Sequence, residues 1–107
     1  MEYAEGKLCG QVAIVTGAAQ GMGAASARAL AREGVRVVVC DLDGEKVAQV
    51  AREIDPSGER ALGLQTDVAR EDEVEALVAA ALERFGKIGI LVNNAGVLRS
   101  TRVEEIS

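Results

Sequence analysis

Residues 12–23 read VAIVTGAAQGMG, a short apolar run followed at once by a glycine-rich segment. The run at 12–15 is typical of a β-strand that is buried on both faces of a sheet. Residues 22–33 form an alanine-rich stretch that Gly34 follows, which predicts a helix with a glycine stop. A turn in this position lets a phosphate group rest on the N-terminus of the following helix. The segment therefore predicts the first βα unit of a nucleotide-binding sheet.

Three glycines in this turn have different predicted roles. Gly17 permits a tight turn, Gly21 lets backbone N–H groups approach the phosphates without a Cβ in the way, and Gly23 allows the helix to pack closely on the strand. Gln20 and Met22 belong to the same predicted cofactor loop. An ordinary glycine-rich turn is the alternative, and the strand-to-helix context favours the phosphate loop. No Gly-Lys-Ser/Thr occurs, so hydrolysis of ATP or GTP has no support.

The rest of the chain continues the alternation of strands and helices. Further strands are predicted at 36–40, 61–66 and 88–92, and further helices at 44–54 and 71–85. This order predicts an α/β fold: the N-terminal βαβαβαβ half, with four strands and three helices, of a Rossmann-type doubly wound parallel sheet. We expect one partial dinucleotide-binding domain over residues 1–107, ending before a catalytic half.

Asp41 closes the second predicted strand, eighteen positions after Gly23. A carboxylate there can accept hydrogen bonds from the adenosine ribose hydroxyls, and it would repel a 2′-phosphate. Neither Gln20 nor Leu42, which follows Asp41, supplies a cation to neutralise that phosphate. The pattern predicts NAD rather than NADP as cofactor, with Leu42 beside it. The alternative is that Asp41 only starts a turn.

Composition excludes several other classes of function. The 107 residues carry a formal net charge of −5, which opposes binding to nucleic acid or to an anionic membrane surface. The chain has no His, so a His general base and a His-ligated metal are excluded, and no metal site is predicted. Residues 1–10 hold no apolar run typical of a targeting signal, and we expect a cytoplasmic location. Cys40 lies within an apolar run and is predicted to be a core residue.

Four motifs occur in order: TGAAQGMG at 16–23, Asp41, Asp67-Val68, and NNAG at 93–96. Together they resemble the classical short-chain dehydrogenase/reductase family. The resemblance implies that Asp67 accepts a hydrogen bond from the adenine amino group and that the Val68 backbone completes this contact. The alternative for Asp67 is an N-terminal cap of the next helix.

The resemblance also assigns roles to the segment after the fourth strand. Asn93, Ala95 and Gly96 would line the adenosine side of the cofactor. Asn94 would tie neighbouring strands through its amide, a structural role as well supported as cofactor binding.

The activity that the resemblance implies is hydride transfer between NAD(H) and an alcohol or carbonyl substrate. The family uses a Ser, a Tyr and a Lys for this chemistry, all in its second half, so no catalytic residue is assigned within 1–107. We expect the small substrate to bind only when that half is present, and the full-length parent to be a homo-oligomer. A non-catalytic module that binds an adenine dinucleotide remains the alternative.

Overall fold

The computed structural model describes residues 8–94. Four strands alternate with three helices, in the order β1 Val12–Thr16, α1 Gly21–Arg32, β2 Arg36–Asp41, α2 Gly44–Ile54, β3 Ala61–Gln65, α3 Glu71–Phe85 and β4 Ile90–Asn93. The predicted βαβαβαβ order is confirmed, and the predicted bounds of α2 and α3 agree with the structure. The first helix begins one residue earlier than predicted, at Gly21.

The four strands form one parallel sheet in the order β3-β2-β1-β4. The chain moves outward from β1 to β2 and β3 and then returns to the other side of β1 with β4. Thr16 at the end of β1 is paired with Cys40 of β2 and with Asn93 of β4. The carboxyl ends therefore meet along one edge of the sheet, and ligands of open α/β sheets bind outside that edge, where the strand order reverses.

Helices cover both faces of the sheet, as a doubly wound fold requires. Alternate residues of β2 show this directly, because Val37 and Val39 belong to one buried cluster and Val38 and Cys40 to another. The first cluster includes residues of α1 and α2, and the second includes residues of α3. Each strand of this kind is buried on both sides, which is why β1 and β2 are almost continuously apolar in sequence.

The fourth strand differs from the prediction. It spans Ile90–Asn93 rather than 88–92. Ile88 is buried with the α3 cluster, yet it precedes the ladder, and the Gly89 N–H donates to the carbonyl of Val12. In the sequence, an apolar residue that is buried just before a strand cannot be distinguished from one buried within it. The predicted strand therefore began two residues too early.

Cys40 is fully buried, which confirms its predicted place in the core. Burial, together with the neighbouring Asp41 carboxylate, raises the pKa of its thiol to about 12. Among the helices described, none is long and apolar enough to span a membrane. Within residues 8–94 no group of three or more His, Cys, Asp or Glu side chains is arranged to hold a metal ion.

Candidate functional site

A cleft with a volume of about 390 Å³ opens at the carboxyl edge of the sheet. Its walls come from the segments that follow three successive strands. The lining residues are Gly17 after β1, Asp41 and Leu42 at the end of β2, and Thr66, Asp67, Val68 and Ala69 after β3. The structure thus brings together five of the predicted site residues from three distant parts of the sequence.

The turn after β1 depends on two glycines with left-handed backbone conformations. Gly17 has a φ of +62° and Gly21 a φ of +64°. A Cβ added to Gly21 would meet no atom within 4 Å, so the chain itself leaves open space there. The backbone conformation therefore requires glycine at 21, and the open space is where backbone N–H groups can be approached. The turn is anchored because the Ala18 N–H donates to the carbonyl of Cys40 at 3.1 Å.

Gly23 is required for a different reason, which is packing within the chain. A Cβ on Gly23 would collide with the carbonyl oxygen of Gly17 and lie 2.7 Å from its carbonyl carbon. Both atoms belong to backbone and cannot move like the end of a flexible side chain. The predicted close packing at Gly23 is present, and its partner is the turn directly after β1 rather than the strand itself.

The N-terminus of α1, where Gln20 is the N-cap, has no side-chain cap and no acidic residue in its own first turn. In contrast, the Asp43 side chain caps α2, and the first turn of α3 contains three acidic residues. The positive end of the α1 dipole therefore has no capping side chain of its own, and such a helix end favours an anion.

Asp41 connects the glycine turn with the start of α2. Its Oδ2 accepts the Ala19 N–H at 3.1 Å, and its Oδ1 accepts the Asp43 N–H at 3.0 Å. The second contact is the local turn contact of the alternative interpretation, whereas the first reaches across to the loop after β1. Asp41 is half-buried and lines the cleft, and its carboxylate joins the loop after β1 to the start of α2.

Asp67 is held from two sides by its own segment. Its Oδ1 accepts the Ala69 N–H at 3.0 Å, and its N–H donates to Oε1 of Glu73 at 2.7 Å. The N-cap of α3 is Arg70, so the interpretation of Asp67 as that cap is wrong. Glu73 was not predicted, since its contact with Asp67 becomes apparent only when the first turn of α3 folds back over the loop.

The end of β4 is fastened to β1 by a hydroxyl. Thr16 is buried, donates to Oδ1 of Asn93 at 2.9 Å and accepts the Asn94 N–H at 3.0 Å. Thr16 thus ties the two strand ends together with the backbone of Asn94, and the strand-tying role of the Asn94 side-chain amide stays a prediction. The Asn93 side chain faces β1 and does not line the cleft. Ala95 and Gly96 lie outside the described residues.

Two predicted residues of the loop lie at the rim rather than in the wall. Met22 is 78% exposed, and Gln20 is exposed as well. The Oε1 of Gln20 accepts a hydrogen bond from Nζ of Lys46 at 3.2 Å, which brings an unpredicted cation to the rim. Thr66 and Ala69 were also missed, although both flank the Asp67-Val68 pair at the end of a predicted strand, a position that could have indicated them.

Comparison with known proteins indicates the family of this chain. A family model described as short chain dehydrogenase matches residues 11–107. The 3-oxoacyl-[acyl-carrier-protein] reductase of a Synechocystis species is 45% identical over 95 residues, which cover 88% of this chain and 38% of that protein.

Two solved structures show the same likeness. A hydroxysteroid dehydrogenase from Escherichia coli superposes with a TM-score of 0.79 at 38% identity, over 88% of this chain and 40% of that one. A short chain dehydrogenase/reductase from Burkholderia phymatum, in complex with NAD, gives a TM-score of 0.75 at 38% identity, over 79% of this chain and 30% of that one. The chain spans about two-fifths of the length of the curated relatives it matches. With the family match covering nearly the whole sequence, the chain belongs to the short-chain dehydrogenase family.

Proposed function

We propose that this chain binds NAD in the cleft at the carboxyl edge of the sheet, as the cofactor-binding part of an oxidoreductase. The observation that carries the proposal is the cleft itself, which is lined by Asp41, by Gly17 of the glycine turn (residues 17–23) and by residues 66–69 around Asp67. The Asp41 carboxylate is hydrogen-bonded to the glycine turn. Its volume of about 390 Å³ falls within the range of roughly 300–1,000 Å³ that is usual for small-molecule sites. The solved relative from Burkholderia phymatum contains NAD, which supports the same cofactor here.

The residues present fit two chemically different parts of an adenine dinucleotide, the pyrophosphate and the adenosine. The uncapped N-terminus of α1 and the open space at Gly21 suit the pyrophosphate, because backbone N–H groups there can donate to phosphate oxygens. Asp41 would accept hydrogen bonds from the ribose hydroxyls. Leu42 and Val68 line the same cleft as Asp67 and offer apolar surface for the adenine ring, from whose amino group Asp67 would accept a hydrogen bond.

Cofactor choice in this proposal follows from the charge of Asp41. A 2′-phosphate would take the place of a ribose hydroxyl next to that carboxylate, and two negative charges at hydrogen-bonding distance repel each other. We therefore expect NAD to bind more tightly than NADP.

The chemistry of the whole protein is hydride transfer between the bound nicotinamide cofactor and an alcohol or carbonyl compound. The relatives are named for different substrates, a 3-oxoacyl group and a hydroxysteroid, yet they match this chain through the same region. This supports a division in which residues 1–107 form a partial domain that holds the cofactor. The Ser, Tyr and Lys of the family, and the small substrate, would belong to the remaining length of such proteins.

The proposal is tested by calorimetric titration of the purified chain with NAD, NADP and ADP-ribose, after circular dichroism has shown that the chain is folded. NAD and ADP-ribose should bind alike, because the cleft contacts the adenosine and pyrophosphate groups that they share. We expect a Kd weaker than about 1 μM, since the nicotinamide end has few partners in the part of the chain that forms the cleft. A folded chain that binds none of the three refutes the proposal.

A matched pair of variants tests the role of Asp41. Asp41→Asn removes the charge and keeps one acceptor oxygen, and we expect it to narrow the preference for NAD over NADP by about fivefold or more. Glu83→Gln makes the same chemical change on an exposed position near the far end of α3 and should leave the preference unaltered. If both variants keep the wild-type ratio, Asp41 does not select the cofactor.

A further inference from the structure

We infer that Lys46 is a second determinant of cofactor choice, which opposes Asp41 by placing a positive charge on the rim where a 2′-phosphate would lie. The inference rests on the proposed function and deepens it, since it concerns selectivity at the same site. It comes from the contact between Lys46 Nζ and Gln20 Oε1, which joins the first turn of α2 to the glycine turn.

The contacts around Asp41 form a closed ring. Its carboxylate accepts the Ala19 N–H on one side and the Asp43 N–H on the other. Gln20, bonded covalently to Ala19, accepts from Lys46 Nζ at 3.2 Å, and the Lys46 N–H donates to Oδ1 of Asp43 at 3.1 Å. The ring therefore links Lys46 to the two residues that donate to the Asp41 carboxylate, through Gln20 on one side and Asp43 on the other.

A 2′-phosphate would arrive on this ring. In the proposed binding mode, Asp41 accepts a hydrogen bond from the 2′-hydroxyl of the adenosine ribose. In NADP the same 2′ oxygen carries the phosphate. The phosphate would therefore lie within a bond or two of the Asp41 contact, on the exposed side where the ring is open to solvent. Lys46 and Gln20 are both exposed, so the ammonium can exchange its neutral partner for a phosphate oxygen without movement of the backbone.

The selectivity of the site is then a difference between two opposing charges. Asp41 disfavours the 2′-phosphate, Asp43 adds a further negative charge nearby, and Lys46 favours the phosphate. NAD carries no group at that position, so the loss of Lys46 should change NAD binding little. The preference for NAD should accordingly be smaller in the natural chain than in a chain without this lysine.

The test is calorimetric titration of the full chain with NAD and NADP in four forms: wild type, Lys46→Gln, Asp41→Asn, and the variant with both substitutions. We expect Lys46→Gln to weaken NADP binding by about fivefold, the size of a solvent-exposed ion pair, and to change NAD binding less than twofold or so. In the Asp41→Asn background, NADP binding should be strong enough to measure directly, and adding Lys46→Gln should again weaken it by about fivefold.

Two further variants separate a specific contact from a general change of charge. Lys46→Arg keeps a long cationic side chain and should keep the NADP affinity of the wild type. Lys87→Gln removes an equal charge from an exposed position just before β4, at the opposite edge of the sheet, and should leave both affinities unchanged.

Other results overturn the inference. If Lys46→Gln weakens NAD and NADP equally, the lysine serves the pyrophosphate or the fold rather than selectivity. If Lys46→Gln leaves the affinities for NAD and NADP unchanged in the wild type and in Asp41→Asn, the ring does not receive the 2′-phosphate. The same conclusion follows if NADP does not bind to Asp41→Asn. In these cases NAD still binds and the proposed function survives, whereas a folded wild-type chain that binds neither cofactor refutes both.

Discussion

Replacing Gly23 with alanine should destabilise the chain because the added methyl group has no space. The Cβ would collide with the carbonyl oxygen of Gly17, lie 2.7 Å from its carbonyl carbon and approach Cα of Ala18 to 3.0 Å. All three atoms belong to the turn after β1, and that turn is held in place by the hydrogen bond from Ala18 N–H to Cys40 O. Relief of the collision therefore requires α1 and the turn to separate.

The magnitude follows from two opposing effects. Forcing a methyl group into a packed site costs about 1–3 kcal/mol, and rigid backbone at the collision favours the upper end of that range. Alanine is a better helix former than glycine by about 1 kcal/mol, which offsets part of the cost because Gly23 lies in the first turn of α1. The net loss should be about 2 kcal/mol, which corresponds to a decrease in Tm of roughly 10 °C for a domain of this size.

The loss of stability can be measured by urea unfolding with circular dichroism as the signal, and Gly89→Ala is the control. A Cβ on Gly89 would also meet another atom closely, but that atom is Oε1 of Gln11, the end of a flexible side chain that can turn away. We expect Gly89→Ala to change the free energy of unfolding by less than about 0.5 kcal/mol. The reasoning is refuted if Gly23→Ala is as stable as the wild type, or if the two variants lose the same stability.

Two further predictions concern contacts away from the cleft. Thr16→Val keeps the shape of a buried side chain but removes the hydroxyl that joins β1 to the end of β4, and it should cost about 1–3 kcal/mol in urea unfolding; no loss would mean that the strand end is held by its backbone alone. Asp55 accepts hydrogen bonds from the Ser57 hydroxyl and N–H, which lower its pKa below the ordinary value of 3.8. A carboxyl group with a lowered pKa in the folded state stabilises the fold above its unfolded pKa, and this stability is lost as the pH falls through the folded pKa. The free energy of unfolding of Asp55→Asn should therefore depend less on pH below about pH 4. The same pH dependence in Asp55→Asn and the wild type would contradict this.

The sequence predicted the order and type of all seven elements because each has a strong periodic signal. The α2 helix, for example, places Val47, Val50 and Ala51 on one face, and these three residues are buried. Strand β2 is a continuous apolar run, and the structure buries it on both sides of the sheet. The start of β4 was predicted two residues too early, which shows the limit of the apolar pattern. Ile88 is buried because it packs in the α3 cluster, and it does not take part in the strand pairing.

The candidate site was predictable only where its residues follow strand ends directly. Asp41 could be located in this way, because parallel strands deliver their carboxyl ends to one edge, whereas Asp67 and Val68 were assigned through the family resemblance; the cleft contains all three. Glu73 escaped prediction, because its contact with the Asp67 backbone depends on how α3 turns back over the loop. Its sequence neighbours indicate only an acidic first helical turn, which is common at a helix N-terminus.

Lys46 escaped prediction for a geometric reason. It is the third residue of α2, and the Cα–Cβ bonds of a helix tilt toward its N-terminus, so a long side chain there extends back toward the carboxyl edge of the sheet. The Asp43 cap fixes the start of that helix and therefore the direction of the lysine. A sequence rule that considers only Gln20 and Leu42 finds no cation, although one reaches Gln20 from 26 positions away. In the binding mode that we propose, a 2′-phosphate would meet charges from both the first turn of α2 and the end of β2.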